Sequence, residues 1–136
     1  MVSYVGISVL MWAFLCFFAI IDQTSTYGDI EITREALGKK EAEKRENNVF
    51  QKFLWSRFSY KTSAVISLLL QWLVYSIAAL VVFLLRNDVV ALAALVLSVM
   101  METFIVTGNF LYYRRCDRLK ERYPKEYKRL IRDYIE

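Results

Sequence analysis

Glu102 lies near the centre of an apolar run, residues 89–113, that only Glu102, Asn109 and small hydroxyls interrupt. A central acid in a membrane-spanning helix costs about 2.5–3.5 kcal/mol on insertion scales, so it must be neutralised, paired or turned toward a polar interior. Ser98, Glu102 and Asn109 are spaced by four and seven residues, which places them near one helical face. In the apolar run 62–85, Ser67, Gln71 and Tyr75 repeat every four residues. A first apolar run ends in Asp22, Thr24, Ser25 and Thr26. The expected arrangement is one polar seam of Asp22, Thr26, Ser67, Gln71, Glu102 and Asn109, with Gln71 and Glu102 at similar depth and able to hydrogen-bond.

Such a seam admits two chemistries. Amides and hydroxyls hold spans together at roughly 0.6–2 kcal/mol each. A buried acid can instead bind a proton or cation on a transport path. Catalysis has less to work with: histidine is absent, and no phosphate-cradling loop is present. An enzyme acting on a lipid headgroup would have to use Asp22, Glu31 or Glu46. Cys116 stands near Arg114, Arg115 and Arg118, which could favour a thiolate, but the position fits a palmitoylation site or an inert thiol better. With Cys16 in an apolar run and Cys116 in a basic one, neither a disulfide framework nor a Cys/His zinc site is expected, and no cofactor is implied.

The elements that must position these residues are helices. The 136 residues are 57% hydrophobic yet 24% charged, with a mean hydropathy of +0.30, so apolar and charged residues are segregated into spans and polar segments. Residues 2–21 carry no charge and match the roughly 30 Å hydrocarbon core at 1.5 Å per residue. A cleaved signal peptide would show a basic start, a shorter apolar part and a small-residue cleavage site, none of which is seen. The expected fold is all-α and membrane-integral, with spans over about 2–26, 62–85 and 89–113. A cytoplasmic loop, 27–61, and a basic amphipathic tail, 114–136, complete it.

Arg86, Asn87 and Asp88 leave room only for a tight hairpin between the last two spans. Eight Lys and Arg fall in 22–61 and nine in the tail, against Arg86 alone in the hairpin. By the positive-inside rule both basic segments are cytoplasmic and the N-terminus is outside, which three spans satisfy. The net charge of +4 speaks for anionic lipid at that face and not for nucleic acid.

Within the loop, residues 32–45 are rich in helix formers with interleaved charges, giving a solvated helix with Thr33 as its cap. Residues 49–60 set Phe50, Phe53, Leu54, Trp55 and Phe58 against Lys52 and Arg57, an amphipathic piece suited to the membrane interface. The tail places Leu119, Tyr123, Tyr127, Leu130, Ile131 and Tyr134 at helical spacing, with a break expected at Pro124. Its apolar face can cover the loop, lie on the leaflet or meet a partner.

Asp22-Gln-Thr-Ser-Thr26, then Glu46-Asn47-Asn48 and the stretch Phe50 to Leu54, resemble the pattern of a prokaryotic membrane family of unknown function. In that family an Asp and a Thr at a span end precede a Glu-x-Asn-Pro motif and two further spans, the last bearing an Asn. The matching positions are Asp22, Thr26, Glu46, Asn48 and Asn109, across most of residues 15–113. Val49 stands where the family has Pro, and the stretch from Thr26 to Glu46 is longer. The resemblance implies that these five belong together. Their oxygens could hold a hard cation at the cytoplasmic face or simply lock a capped loop onto the bundle.

The sequence therefore points to a non-catalytic accessory or structural subunit of a membrane complex, or a homo-oligomer. A small oligomeric proton or cation transporter using Glu102 is the alternative.

Overall fold

A computed structural model describes residues 3–44 and 48–135. Among them the chain is helical without strands: α1 Tyr4–Leu37, α2 Lys39–Lys44, α3 Val49–Arg57, α4 Tyr60–Leu84, α5 Asp88–Arg122 and α6 Tyr127–Ile135. Three of these, α1, α4 and α5, are long and apolar enough to cross a membrane. At 1.5 Å per residue α1 and α5 reach about 50 Å, well beyond the hydrocarbon thickness, so each continues as a polar helix past its apolar part.

The helix expected from residue 32 was to be separate from that of the first span. Instead α1 runs unbroken to Leu37. Polar residues do not by themselves end a helix, and no proline precedes Pro124. The break comes at Gly38, whose φ of 88° is left-handed and which needs no Cβ accommodated there. Thr33 is consequently no cap. It is buried inside α1, and its hydroxyl donates to Asp29 O at 2.7 Å. Likewise α5 passes 113 without interruption and stops at Arg122, just before Pro124, where the tail was expected to break.

The chain divides into two compact units, 1–23 with 66–107 and 24–65 with 108–136. In the first, Met11 and Leu15 of α1 pack with Ala79 of α4, flanked by Tyr75, Val82, Ala94 and Leu95. The α4–α5 connection turns at Arg86, φ 52°, and Asn87 Oδ1 accepts from Val89 N and Val90 N, capping α5. Asp88 Oδ1 accepts from Tyr4 N at 2.6 Å, a carboxylate at the N-terminal end of α1.

In the second unit, Ile32 and Ala36 of α1, Cys116 of α5, and Tyr127 and Ile131 of α6 form one apolar cluster. Ile30, Ala42, Trp55 and Tyr60 form another. Gly28 permits close approach of α5: a Cβ there would stand 3.3 Å from the Tyr113 ring. Tyr127 and Ile131 of α6 are thus covered by the chain itself, while Lys128, Arg129 and Arg132 remain exposed. Burial pushes the Tyr127 phenol above its ordinary value, and the Glu35 carboxylate adds to the effect.

A nine-residue helix is marginal alone, so α6 should depend on Ile131, which is fully buried. Ile131→Ala removes buried methyls at a cost of about 2–5 kcal/mol. Amide exchange over residues 128–132 should rise toward the rate of an unstructured peptide while α4 stays protected; unchanged exchange would show that α6 is held by something else.

Candidate functional site

The first unit gathers its polar side chains in two places. Tyr75 OH of α4 donates to Glu102 Oε1 of α5 at 2.5 Å. Gln71, one turn before Tyr75, donates through Nε2 to Asp22 Oδ2 of α1 at 3.2 Å. Gln23 Nε2 donates to Gln71 Oε1 at 3.3 Å and to Asp22 Oδ2 at 3.5 Å. Glu102 is 9% exposed, Gln23 8% and Ser67 5%, so the seam faces inward on all three helices of this unit. Gln23 Oε1 is buried without a hydrogen-bond partner.

The expected pairing of Gln71 with Glu102 is off by one turn. Both residues lie on the inward stripes that their spacing implies, but a register difference of about 5.4 Å gives Glu102 to Tyr75 and Gln71 to Asp22. Glu102 is covered within one copy, by the phenol of Tyr75 and the surrounding helices.

Two tryptophans add links that the apolar pattern concealed. Trp12 Nε1 donates to Ser76 Oγ at 2.9 Å, and Trp72 Nε1 donates to Cys16 O at 3.1 Å. An indole N–H away from water needs such a partner, and that rule was the available signal. Beside them Ser8, Val9, Trp12, Ser76, Ala79, Leu80 and Phe83 line a shallow groove of about 220 Å³. Its two serine hydroxyls donate to Tyr4 O and Trp72 O, so neither offers a free nucleophile.

In the second unit Asn109 Nδ2 donates to Thr26 Oγ1 at 3.2 Å and to Ser25 Oγ at 3.4 Å. These are two of the positions the family resemblance grouped. Thr33 and Tyr112 meet at 3.0 Å; since the Thr33 proton goes to Asp29 O, Tyr112 is the donor. Asn48 accepts from Phe50 N and Gln51 N and so caps α3. Glu46 lies outside the described residues. Lys120 Nζ meets Glu35 at 2.7 and 2.8 Å, a solvent-screened pair that adds little to stability.

Among the described residues no group of three or more His, Cys, Asp or Glu is placed to hold a metal ion. Chemically, the arrangement of the first unit joins its helices, with Glu102 bound to Tyr75 and Asp22 bound to Gln71. Comparison with family models, with curated proteins and with solved structures gave no match.

If the Tyr75–Glu102 bond joins α4 to α5, the two side chains must be energetically coupled. In detergent unfolding, Tyr75→Phe should destabilise the parent by roughly 0.6–1.7 kcal/mol and do almost nothing in a Glu102→Leu background. Equal effects in both backgrounds would remove the link.

Proposed function

We propose that this chain is a non-catalytic multi-pass protein of the cell membrane, serving as an accessory or structural subunit of a membrane complex or as a homo-oligomer. The observation carrying this reading is the inverted burial of the first unit. Ser8, Gln23, Ser67 and Glu102 are inside, whereas Val9, Leu69, Leu84, Leu97, Met101 and Phe104 are exposed. That distribution suits lipid and not water. The intramembrane carboxyls Asp22 and Glu102 are each engaged by side chains of the same copy, which favours a structural role for them.

Orientation follows from the bases: with 22–61 and 114–136 in the cytoplasm, the tyrosine-rich second unit meets an anionic leaflet, and the N-terminus and Arg86 lie outside. The partners of this reading are anionic lipid together with another membrane protein or a second copy. A proton or cation transporter remains the second reading, favoured by one observation, the buried acid Glu102 between α4 and α5.

The native mass of the gently extracted protein, with identification of whatever copurifies, tests the choice. The expected result is a stoichiometric partner or a defined oligomer whose mass survives Glu102→Gln. A monomer under every mild extraction would sink the subunit reading. The transporter reading requires instead a pH-dependent cation or proton flux in proteoliposomes, abolished by Glu102→Gln.

A further inference from the structure

Helix α3 has two apolar faces, and only one of them is used by the chain. Gln51, Leu54 and Trp55 are buried. Trp55 sits edge-on to Tyr60 at 5.3 Å between ring centroids and joins the cluster with Ile30 and Ala42. At 100° per residue the other side is formed by Val49, Phe50, Phe53 and Arg57. These are open: Val49 is 80% exposed and Phe53 51%. The aromatic set that the sequence presents as one amphipathic face is therefore split, with Trp55 and Leu54 holding α3 to the protein and Phe50 and Phe53 pointing away from it.

We propose that this outward face is an in-plane anchor seated in the anionic cytoplasmic leaflet, with Phe50, Phe53 and Phe58 entering the acyl boundary and Lys52, Arg57 and Lys61 meeting lipid phosphates. The inference rests on the membrane reading above and adds to it the occupant of one surface. Continuity fixes the depth. Phe58 closes α3 in an extended conformation, φ −128° and ψ 166°. Ser59 Oγ then accepts from Thr62 N in the first turn of α4. From Arg57 to Tyr60 the chain can reach only about 10 Å, so α3 cannot leave the level at which the apolar helix α4 begins.

Charge fixes the kind of lipid. Residues 49–61 include Lys52, Arg57 and Lys61, all exposed, and no acid. The Arg57 guanidinium lies over the Phe53 ring, 5.3 Å from its centroid. This is the arrangement of a side chain that runs along an apolar body toward a polar surface. Aromatic rings beside bases on a short helix match the features of interfacial segments that bind anionic membranes.

The test uses the full chain with Cys16→Ala and Cys116→Ala, carrying a nitroxide at single cysteines in vesicles of phosphatidylcholine and phosphatidylglycerol. Phe50→Cys and Phe53→Cys report the outward face, Lys52→Cys and Ser56→Cys its flank, and Leu73→Cys a span. The ratio of collision with oxygen to collision with an aqueous nickel chelate should be several-fold higher at 50 and 53 than at 52 and 56. Nickel access at 50 and 53, with 73 still oxygen-accessible, overturns the anchor and leaves the membrane reading standing. Nickel access at 73 as well would remove the membrane reading itself.

Protection of 50 and 53 from both reagents would assign the face to a protein partner and overturn the lipid proposal. The unmodified chain provides a second readout that needs no label. Amide exchange over residues 49–57 should slow in nanodiscs containing phosphatidylglycerol relative to phosphatidylcholine alone, and identical exchange in both would also overturn it.

Discussion

Three helices that are apolar on nearly every side cannot cover their own surface by packing against one another. In the first unit this leaves Phe104 82% exposed even though Ala91, Ala79 and Met11 are buried. The excess follows from composition: a helix apolar all round has no polar side to offer water. What remains for the interior is the polar minority. Glu102 finds Tyr75, Asp22 finds Gln71, and each indole of Trp12 and Trp72 finds an oxygen. Where hydrocarbon surrounds the helices, an unpaired polar group costs several kcal/mol, so these pairings decide which faces turn inward and the apolar residues take the rest.

Where α6 packs on the ends of α1 and α5, the second unit follows the opposite rule, the one that governs proteins in water. Ile32, Ala36, Cys116 and Ile131 are inside, while Lys39, Lys40, Arg114, Arg115 and Arg129 are exposed. Both rules are written along single helices. On α1, Met11 and Ala19 are buried among exposed apolar neighbours, and Ile32 and Ala36 are buried among charges. Backbone hydrogen bonding carries the helix through the change of rule, because its N–H and C=O groups are satisfied internally whatever the side chains meet.

That continuity explains what could and could not be read from the sequence. The three apolar runs were legible because some 20 uncharged residues in succession admit few alternatives. So were the tight α4–α5 connection and the break at Pro124. The end of α1 was not, since the run Asp22 to Thr26 looks like a boundary by polarity whereas the backbone stops only at Gly38. That Ser67 and Glu102 turn inward, with Gln71 and Tyr75 on the same stripe as Ser67, was legible from spacing alone. Their partners were not, because depth counted in residues carries an uncertainty of about a turn, enough to exchange Gln71 for Tyr75. The division of α3 between two apolar faces was hidden for a different reason: periodicity shows that Trp55 and Phe53 point apart, but it does not reveal which of them the chain itself covers.

Burial of Glu102 within one copy also changes the grounds for association. An acid left facing lipid would force assembly; an acid answered by Tyr75 does not. In a bilayer the exposed apolar residues of the first unit would supply little drive of their own, since lipid tails would solvate Leu97 or Phe104 about as well as another helix, leaving only packing and lipid entropy. The second unit presents a different surface, on which Lys39, Lys40, Lys128, Arg129 and Arg132 are exposed together with Glu35 and Glu41. Exposed pairs such as Lys44–Glu41 add little affinity, but a surface of mixed charge can steer and select a partner before close packing takes over.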